Sequence, residues 1–349
     1  MVASYFRRAY SSSVTHILDV PARLLAFLFS ILLLVIPLAN PGLYIMFVLV
    51  LAAIFAIFAA SWDILAGRTG QLSLGHALFF GIGGYTSAIL YKYYMLPLWV
   101  TIPIGMLIAF LVAFFVGFPC LRVKGPYLSL VTLAFPLILI SIFFMFKDVT
   151  GGEMGIYAPS ILPIPPYTPY ELRLAEFYVS MLLLIVSSII IYKIASSKTG
   201  ILFVSILDDE LAAKASGINT TKYKLLAFAI SALFASLAGG FYVHFLRTAG
   251  PSALVLTMSF FPVIMTILGG IGTIYGPLVG AYILTILDQY FLKTVVPIPD
   301  ELHAAIYTAI VIVLVIAWPR GVGRWCVDKL EDMQEVREEE IEKKIKRKN

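Results

Sequence analysis

Leu43-Tyr-Ile-Met-Phe-Val-Leu-Val-Leu-Ala-Ala-Ile-Phe-Ala-Ile-Phe-Ala-Ala-Ser61 contains no charged side chain. At 1.5 Å of helical rise per residue, about 20 apolar residues cross the hydrocarbon core of a bilayer. Runs of the same kind recur at 24–40, 73–91, 97–119, 127–146, 175–194, 225–245, 254–268, 276–292 and 303–318. Together they predict an all-α polytopic membrane protein with about ten transmembrane helices. Composition points the same way. Of 349 residues, 60% are hydrophobic and only 13% charged, against roughly 25% charged in soluble domains. A soluble fold would lack the polar side chains to cover that surface. Two cysteines far apart, Cys120 and Cys326, exclude a disulfide scaffold.

Two of the runs are irregular. Residues 73–91 carry Gly75, Gly81, Gly83 and Gly84 and begin with polar residues, so a broken or re-entrant helix is the alternative to a plain span. Residues 254–268 are short, and Gly269-Gly270-Ile271-Gly272 interrupts the chain before the next run. The first run follows Arg7, Arg8 and Arg23 but has no small-residue cleavage site after Ile36-Pro37-Leu38, so it reads as a span and not as a cleaved signal.

Ten crossings put both termini on one side. With the termini in the cytoplasm, thirteen basic residues lie inside: Arg7, Arg8, Arg23, Arg68, Arg122, Lys124, Lys193, Lys198, Lys214, Lys222, Lys224, Arg320 and Arg324. Five lie outside: Lys92, Lys147, Arg173, Arg247 and Lys293. Basic residues accumulate on the cytoplasmic side of membrane proteins, so the asymmetry predicts cytoplasmic termini in the cell membrane. The organisation expected is a cytoplasmic segment 1–23, a transmembrane domain 24–320 and a charged cytoplasmic tail 321–349. From Asp328 the tail holds eight acidic and seven basic residues, so the net charge of +5 belongs to the body. No basic patch interleaved with aromatics is present, which argues against nucleic acid as a partner.

Two hydrophilic connections stand out. The outer one, 147–174, contains Pro159, Pro163, Pro165, Pro166 and Pro169, a density that opposes a regular helix. The inner one, 195–224, is the longest polar stretch between runs. Its middle has the makings of a short amphipathic helix. Asp208, Asp209 and Glu210 stand at the start, where the helix dipole favours negative charge. Glu210 and Lys214 are spaced i,i+4 in the favourable order. Ala212, Ala213 and Ala215 form helix readily and permit close approach by a neighbour. Gly217 suits the left-handed position that stops a helix, and Asn219, Thr220 and Thr221 can cap the next span. A solvated linker is the plain reading of such a loop. A helix inserted into a partner's groove is the reading that accounts for the alanines and the sharp stop.

Glu210-Leu-Ala-Ala-Lys-Ala-Ser-Gly217-Ile resembles the EAA coupling motif of ABC-importer permeases, specifically those of branched-chain amino acid importers, the LivM type. The same family pattern is matched by Gly67-Arg-Thr-Gly-Gln-Leu-Ser-Leu-Gly-His76-Ala-Leu-Phe-Phe-Gly-Ile-Gly-Gly-Tyr85, its most distinctive segment. It is matched again by Gly125-Pro-Tyr-Leu-Ser-Leu-Val-Thr-Leu-Ala-Phe135, Thr150-Gly-Gly152, Lys222-Tyr-Lys-Leu-Leu-Ala-Phe228 and Leu268-Gly-Gly-Ile-Gly-Thr-Ile-Tyr-Gly-Pro277. The resemblance runs from about residue 43 to 320. One departure is clear: where the family carries several arginines before the acidic cluster, this chain has Ile201, Val204 and Leu207.

The resemblance implies a permease subunit that translocates branched-chain or related amino acids and works with four kinds of partner. These are a second, homologous permease, two cytoplasmic ATP-binding subunits, an external substrate-binding protein and the surrounding membrane lipid. The coupling contact to the ATPases would fall on Asp208, Asp209, Glu210, Ala212, Ala213 and Gly217. No Gly-x-x-x-x-Gly-Lys-Ser/Thr loop occurs, so the energy must come from another subunit. No covalent chemistry and no cofactor are expected of this chain. Urea or a short amide is the alternative cargo. An ion-coupled secondary transporter is the alternative class, which would call for buried charge at a midplane site.

Polar residues at membrane depth are the remaining candidates. Thr69, Gln71, Ser73, His76 and Thr132 could line a translocation pathway or satisfy backbone freed by a helix break. For His76 the simpler expectation is a neutral imidazole bonded to a nearby backbone carbonyl. Asp63 and Asp288 are expected at span ends, facing the interface. His16, His76, His244 and His303 show no ligand spacing with one another or with either cysteine, so no metal site is expected. Gly125-Pro126 with Phe135-Pro136 and Gly250-Pro251 with Phe261-Pro262 lie on runs of opposite direction, as an inverted repeat would place them.

Overall fold

A computed structural model of the chain describes residues 35–39, 41–121, 123, 126–162, 168–296, 299–319, 321–323, 325 and 329. The 1–23 segment, most of the 24–40 run and nearly all of the 321–349 tail lie outside these residues, as do Pro163, Pro165 and Pro166. Five long helices begin the description: α1 (Leu43–Thr69), α2 (His76–Tyr94), α3 (Leu98–Cys120), α4 (Pro126–Met145) and α5 (Pro169–Ala195). Two short ones follow, α6 (Lys198–Asp208) and α7 (Glu210–Ala215). The rest are α8 (Thr220–Leu246), α9 (Leu256–Gly269), α10 (Gly276–Thr285) and α11 (Asp300–Ala317). Residues Ile286–Val295 continue α10 as a π-helix.

Helices α1, α3, α4, α5 and α8 are long and apolar enough to cross a membrane. They coincide with five of the ten expected runs. The 73–91 run is an unbroken helix, displaced to His76–Tyr94, whose glycines and polar residues leave it less apolar. The irregular stretch lies in front of it, at Gly70–Gly75. The 254–268 and 303–318 runs form shorter helices, and the 276–292 run divides between α10 and the π-helix.

α1 is the axis of the fold. Every residue from Val48 to Thr69 is buried, the mark of a helix surrounded by protein on all sides. Gly70 ends it with a left-handed φ of 69°. α8 packs against α1, α2 and α3, while α5, α9 and α10 flank α1. Outer faces of α3, α4 and α5 present Phe115, Leu130 and Leu182 to the surroundings, as expected where lipid replaces water. The close centre depends on small residues. A Cβ built on Gly239 of α8 would strike the backbone oxygen of Phe80, and one on Gly83 of α2 the backbone oxygen of Ser236. Backbone meets backbone along this seam, the contact that glycine permits between membrane helices.

Two local features depart from the sequence reading. Pro169 does not belong to the proline-rich connection but begins α5, because proline costs a helix nothing at its first position. Thr168 and Glu171 complete a capping box there. The other departure is a two-stranded antiparallel bridge. β1 (Ile156–Tyr157) pairs with β2 (Thr248–Ala249), Ile156 opposite Ala249 and Tyr157 opposite Thr248. These four residues tie the 147–162 connection to the end of α8.

Candidate functional site

Two places gather the polar residues singled out in the sequence. The first is the start of α2. Gly70–Gly75 is non-helical, so its backbone groups need partners from elsewhere. Side chains of neighbouring helices supply them. The Leu74 amide donates to Thr132 Oγ1 of α4 at 3.0 Å, and Ser129 Oγ donates to the Leu72 carbonyl at 2.6 Å. Trp62 Nε1 donates to the Ser73 carbonyl at 2.7 Å, and the Ala77 amide to Ser259 Oγ of α9 at 3.2 Å. Thr69 Oγ1 donates back to the Leu65 carbonyl, and Gln71 Nε2 to the Thr69 carbonyl. The five pathway candidates therefore share one region. Thr69, Ser73, His76 and Thr132 are buried there, and Gln71 is half-buried.

His76 bonds to a hydroxyl instead of the backbone carbonyl expected. Its Nε2 lies 2.9 Å from Ser231 Oγ of α8, and that hydroxyl donates to the Ser61 carbonyl at 2.7 Å. The Ser231 hydroxyl thus stands between the imidazole and the Ser61 carbonyl. These bonds join α1, α2 and α8 through buried polar groups. Asp63 also departs from expectation: it is buried, and its Oδ1 accepts the Gly272 amide at 2.7 Å. Asp288 stands in the π-helix, where Gln289 Nε2 donates to it at 2.6 Å and His303 Nε2 lies 3.6 Å away.

The second place is the connection 195–224. Sequence reading gives one short helix from the acidic cluster onward, but the structure has two. α6 is capped by Ser197 and buries Gly200, Phe203 and Ile206 against the body. Asp208 closes it. Asp209 is extended, with φ −157° and ψ 106°, and its Oδ1 accepts the amides of Leu211 at 2.8 Å and Ala212 at 3.0 Å. The middle carboxylate of the triad is thus the cap of α7 and the joint between the helices. Gly217 has the left-handed φ of 83° expected of it. Its amide reaches the Lys214 carbonyl and the Ile218 amide the Ala213 carbonyl, a Schellman closure. Asn219 Oδ1 then caps α8 through the Lys222 amide.

Glu210 holds this assembly to the body. One carboxylate oxygen meets Lys214 Nζ at 2.8 Å, as the i,i+4 spacing predicts, and the other meets Lys224 Nζ on α8 at 2.6 Å. Thr220 Oγ1 donates to the same carboxylate at 3.4 Å. Burial alone would raise the Glu210 pKa, but the bonds and charges of the two lysines outweigh it and push it down to about 2. Ala213 faces inward and is buried, whereas Leu211 is 73% exposed and Ala212 and Ala215 stand out beside it. Sequence reading missed Leu211 and Lys224. The exposure of Leu211 is set by the fold, and no spacing rule points to Lys224. The arrangement presents a small apolar tip on a stiff base that is ionically fixed to a central helix.

The fold and this appendage define a multi-pass helical membrane protein with a structured hydrophilic appendage. The chain belongs to the family of branched-chain amino acid transport system permease components, which matches residues 44–315. It is 30% identical over 261 residues to the high-affinity branched-chain amino acid transport system permease protein LivM of Escherichia coli, covering 68% of this chain and 61% of that one. Against the protein of the same name from Salmonella typhimurium it is 29% identical over 258 residues, covering 67% and 60%. The alignments therefore span about three fifths of the length of these relatives. No solved structure matches the chain.

Proposed function

We propose that this chain is the membrane-spanning permease subunit of an ABC importer for branched-chain or related amino acids. In this reading separate ATP-binding subunits drive it, a homologous second permease completes the channel, and an external binding protein delivers the substrate. Family membership supports the class. The observation that carries the mechanism is the Glu210–Lys224 lock. It joins a protruding helix, whose tip is Leu211, to α8, which lies against three helices of the body. A displacement imposed on α7 by an ATPase pair closing on ATP is passed to α8 as a rigid-body tilt, and that tilt shifts the population between outward- and inward-open states.

The finer topology follows from the same reading. Ten spans with cytoplasmic termini put α6 and α7 in the cytoplasm and the β1–β2 bridge outside. The charged tail is then a cytoplasmic appendage, and Asp209, Glu210 and Gly217 shape the coupling element while Leu211, Ala212 and Ala215 touch the partner. Thr69, Gln71, Ser73, His76 and Thr132 lie beside the route of the substrate. An inverted repeat gains support from α4 and α9, which place Thr132 on the Leu74 amide and Ser259 on the Ala77 amide around the start of α2.

Leu211→Asp tests the reading. The side chain is exposed and outside every span, so insertion and expression are expected to remain. An aspartate pressed into a partner's apolar groove without a counter-charge costs about several kcal/mol. The ATP-binding subunits are expected to be lost on co-purification, together with substrate-stimulated ATP hydrolysis. Retention of both would leave α7 a mere linker and sink the coupling assignment, whereas an unaltered chain that binds no ATP-binding subunit would sink the importer reading itself.

A further inference from the structure

The coupling proposal ends at α8, yet α6 rests on something that it does not use. Asp63 and Arg68 lie five residues apart near the end of α1, and both are buried, 5% and 4% exposed. They share the lining of a cavity of about 10 Å³ with Ile194, Phe203 and Ile274, room for at most a single water. They form no ion pair within 4.0 Å there: Asp63 is engaged by the Gly272 amide, and Arg68 Nη2 has no hydrogen-bond partner. A buried guanidinium with an idle donor beside a carboxylate is costly in one state and relieved in another. Phe203 belongs to α6 and closes one side of this cavity, while Ile274 belongs to the turn between α9 and α10. Leu207, at the other end of α6, reaches Gly70.

We propose that Asp63 and Arg68 are positioning residues of the transport cycle, forming a two-state latch between α6 and the Gly269–Gly276 turn. In the state described, Asp63 holds the turn through Gly272. When α6 is pushed inward, Phe203 collapses the cavity and drives the Arg68 guanidinium onto Asp63. The carboxylate exchanges the Gly272 amide for the guanidinium, and the turn between α9 and α10 is released. Geometry favours such an exchange over a gradual shift. Gly272 sits at φ +77°, and a Cβ on Gly67 would meet both Asp63 and the Gly272 nitrogen, so the turn lies directly against α1, where packed surfaces switch between discrete seats. The proposal rests on the importer reading above.

The test uses the complete transporter in proteoliposomes, with Asp63→Asn, Arg68→Gln and Arg68→Lys compared with the unaltered chain. Asparagine keeps an oxygen for Gly272 but offers no charge to Arg68. Expected is an intact complex that still hydrolyses ATP, with ATP consumed per substrate carried rising about tenfold for Asp63→Asn and Arg68→Gln. Arg68→Lys, which keeps the charge, is expected to stay close to the unaltered ratio. An unchanged ratio in Asp63→Asn, or transport and hydrolysis falling in equal proportion, would overturn the latch. A second measurement covers failure to fold: Ile274→Cys, in a chain otherwise altered only at Cys120 and Cys326, labelled with a water-soluble maleimide. Labelling is expected to quicken about threefold or more when the ATPases are trapped with nucleotide. Indifference to nucleotide would overturn the latch equally. Failure of the importer reading shows separately, as an unaltered chain that co-purifies with no ATP-binding subunit.

Discussion

Glu210 and Lys224 are separated by fourteen residues, a helix stop and a helix cap, and their charged atoms meet at 2.6 Å. The pair closes a ring that contains α7, the Gly217 turn and the Asn219 cap. Lys224 is buried on the α8 side, with only 10% of its side chain exposed, so the bond is shielded from solvent on one flank. It is the point at which a mobile-looking hydrophilic loop becomes part of the helical body.

Removing either partner should uncouple α7 from α8. A hydrogen bond to a charged group contributes about 1.5–3 kcal/mol, and Lys214 is left to hold Glu210 alone. Glu210→Gln and Lys224→Met are each expected to lower transport about tenfold in the assembled importer while expression is kept. The double variant should be no worse than either single one, since both remove the same bond. Additive losses would show that the residues act independently.

The acid dependence of this tie has a definite sign. Glu210 titrates at about 2 when folded, below the roughly 4.3 of a free glutamate. A depressed carboxylate stabilises the fold fully above its unfolded value, and that contribution fades as pH falls through the folded one. The melting temperature gap between the unaltered chain and Glu210→Gln should therefore be flat from about pH 5 to 8 and close below about pH 4. A gap that widens on acidification would contradict the assignment.

Much of this was legible in the residues, and the failures have physical causes. Long apolar runs announce helices whatever surrounds them, so α1, α3, α4, α5 and α8 were readable. Local chemistry was readable too: the Gly217 stop, the Asn219 cap and the Glu210–Lys214 pair depend on spacings of four residues or fewer. Three successive carboxylates read as one helix start, because nothing in sequence separates a joint at Asp209 from a first turn. The inward face of Ala213 depends on where α6 lies, which no short-range pattern encodes. His76 and Ser231 are 155 residues apart and Asp63 and Gly272 are 209 apart. Such partners are chosen by helix packing, and the two-residue strands at Ile156 and Thr248 are too brief to produce an alternating pattern.

Gly217 separates conformational from steric cost. A Cβ there would meet nothing within 4 Å, yet the residue sits at φ +83°. Any loss in Gly217→Val thus comes from backbone strain, about 1–2 kcal/mol, larger for a β-branched side chain. Gly217→Asn should be milder, since asparagine tolerates this region. ATPase co-purification is expected to fall in the order glycine, asparagine, valine; equal retention by all three would mean that the α7 stop has no mechanical role.

The seam between α2 and α8 makes the opposite demand, on space instead of angle. Gly239 and Gly83 are helical, so alanine would suit their backbone angles and would even favour helix formation. Space forbids it. A Cβ on Gly239 overlaps the Phe80 carbonyl and one on Gly83 the Ser236 carbonyl, and both obstacles are backbone, which cannot rotate aside as a side chain does. The helices must part, and His76–Ser231 at one end and Ser87–His244 at the other, each bond joining α2 to α8 at 2.9 and 2.6 Å, would be stretched together. Overpacking of this kind costs about 1–3 kcal/mol per site. Gly239→Ala and Gly83→Ala are each expected to lower the melting temperature of the purified protein in detergent, whereas Gly42→Ala, where a Cβ meets nothing within 4 Å, should leave it unchanged. Equal melting temperatures for all three variants would mean that the close approach of α2 and α8 does not hold the fold together.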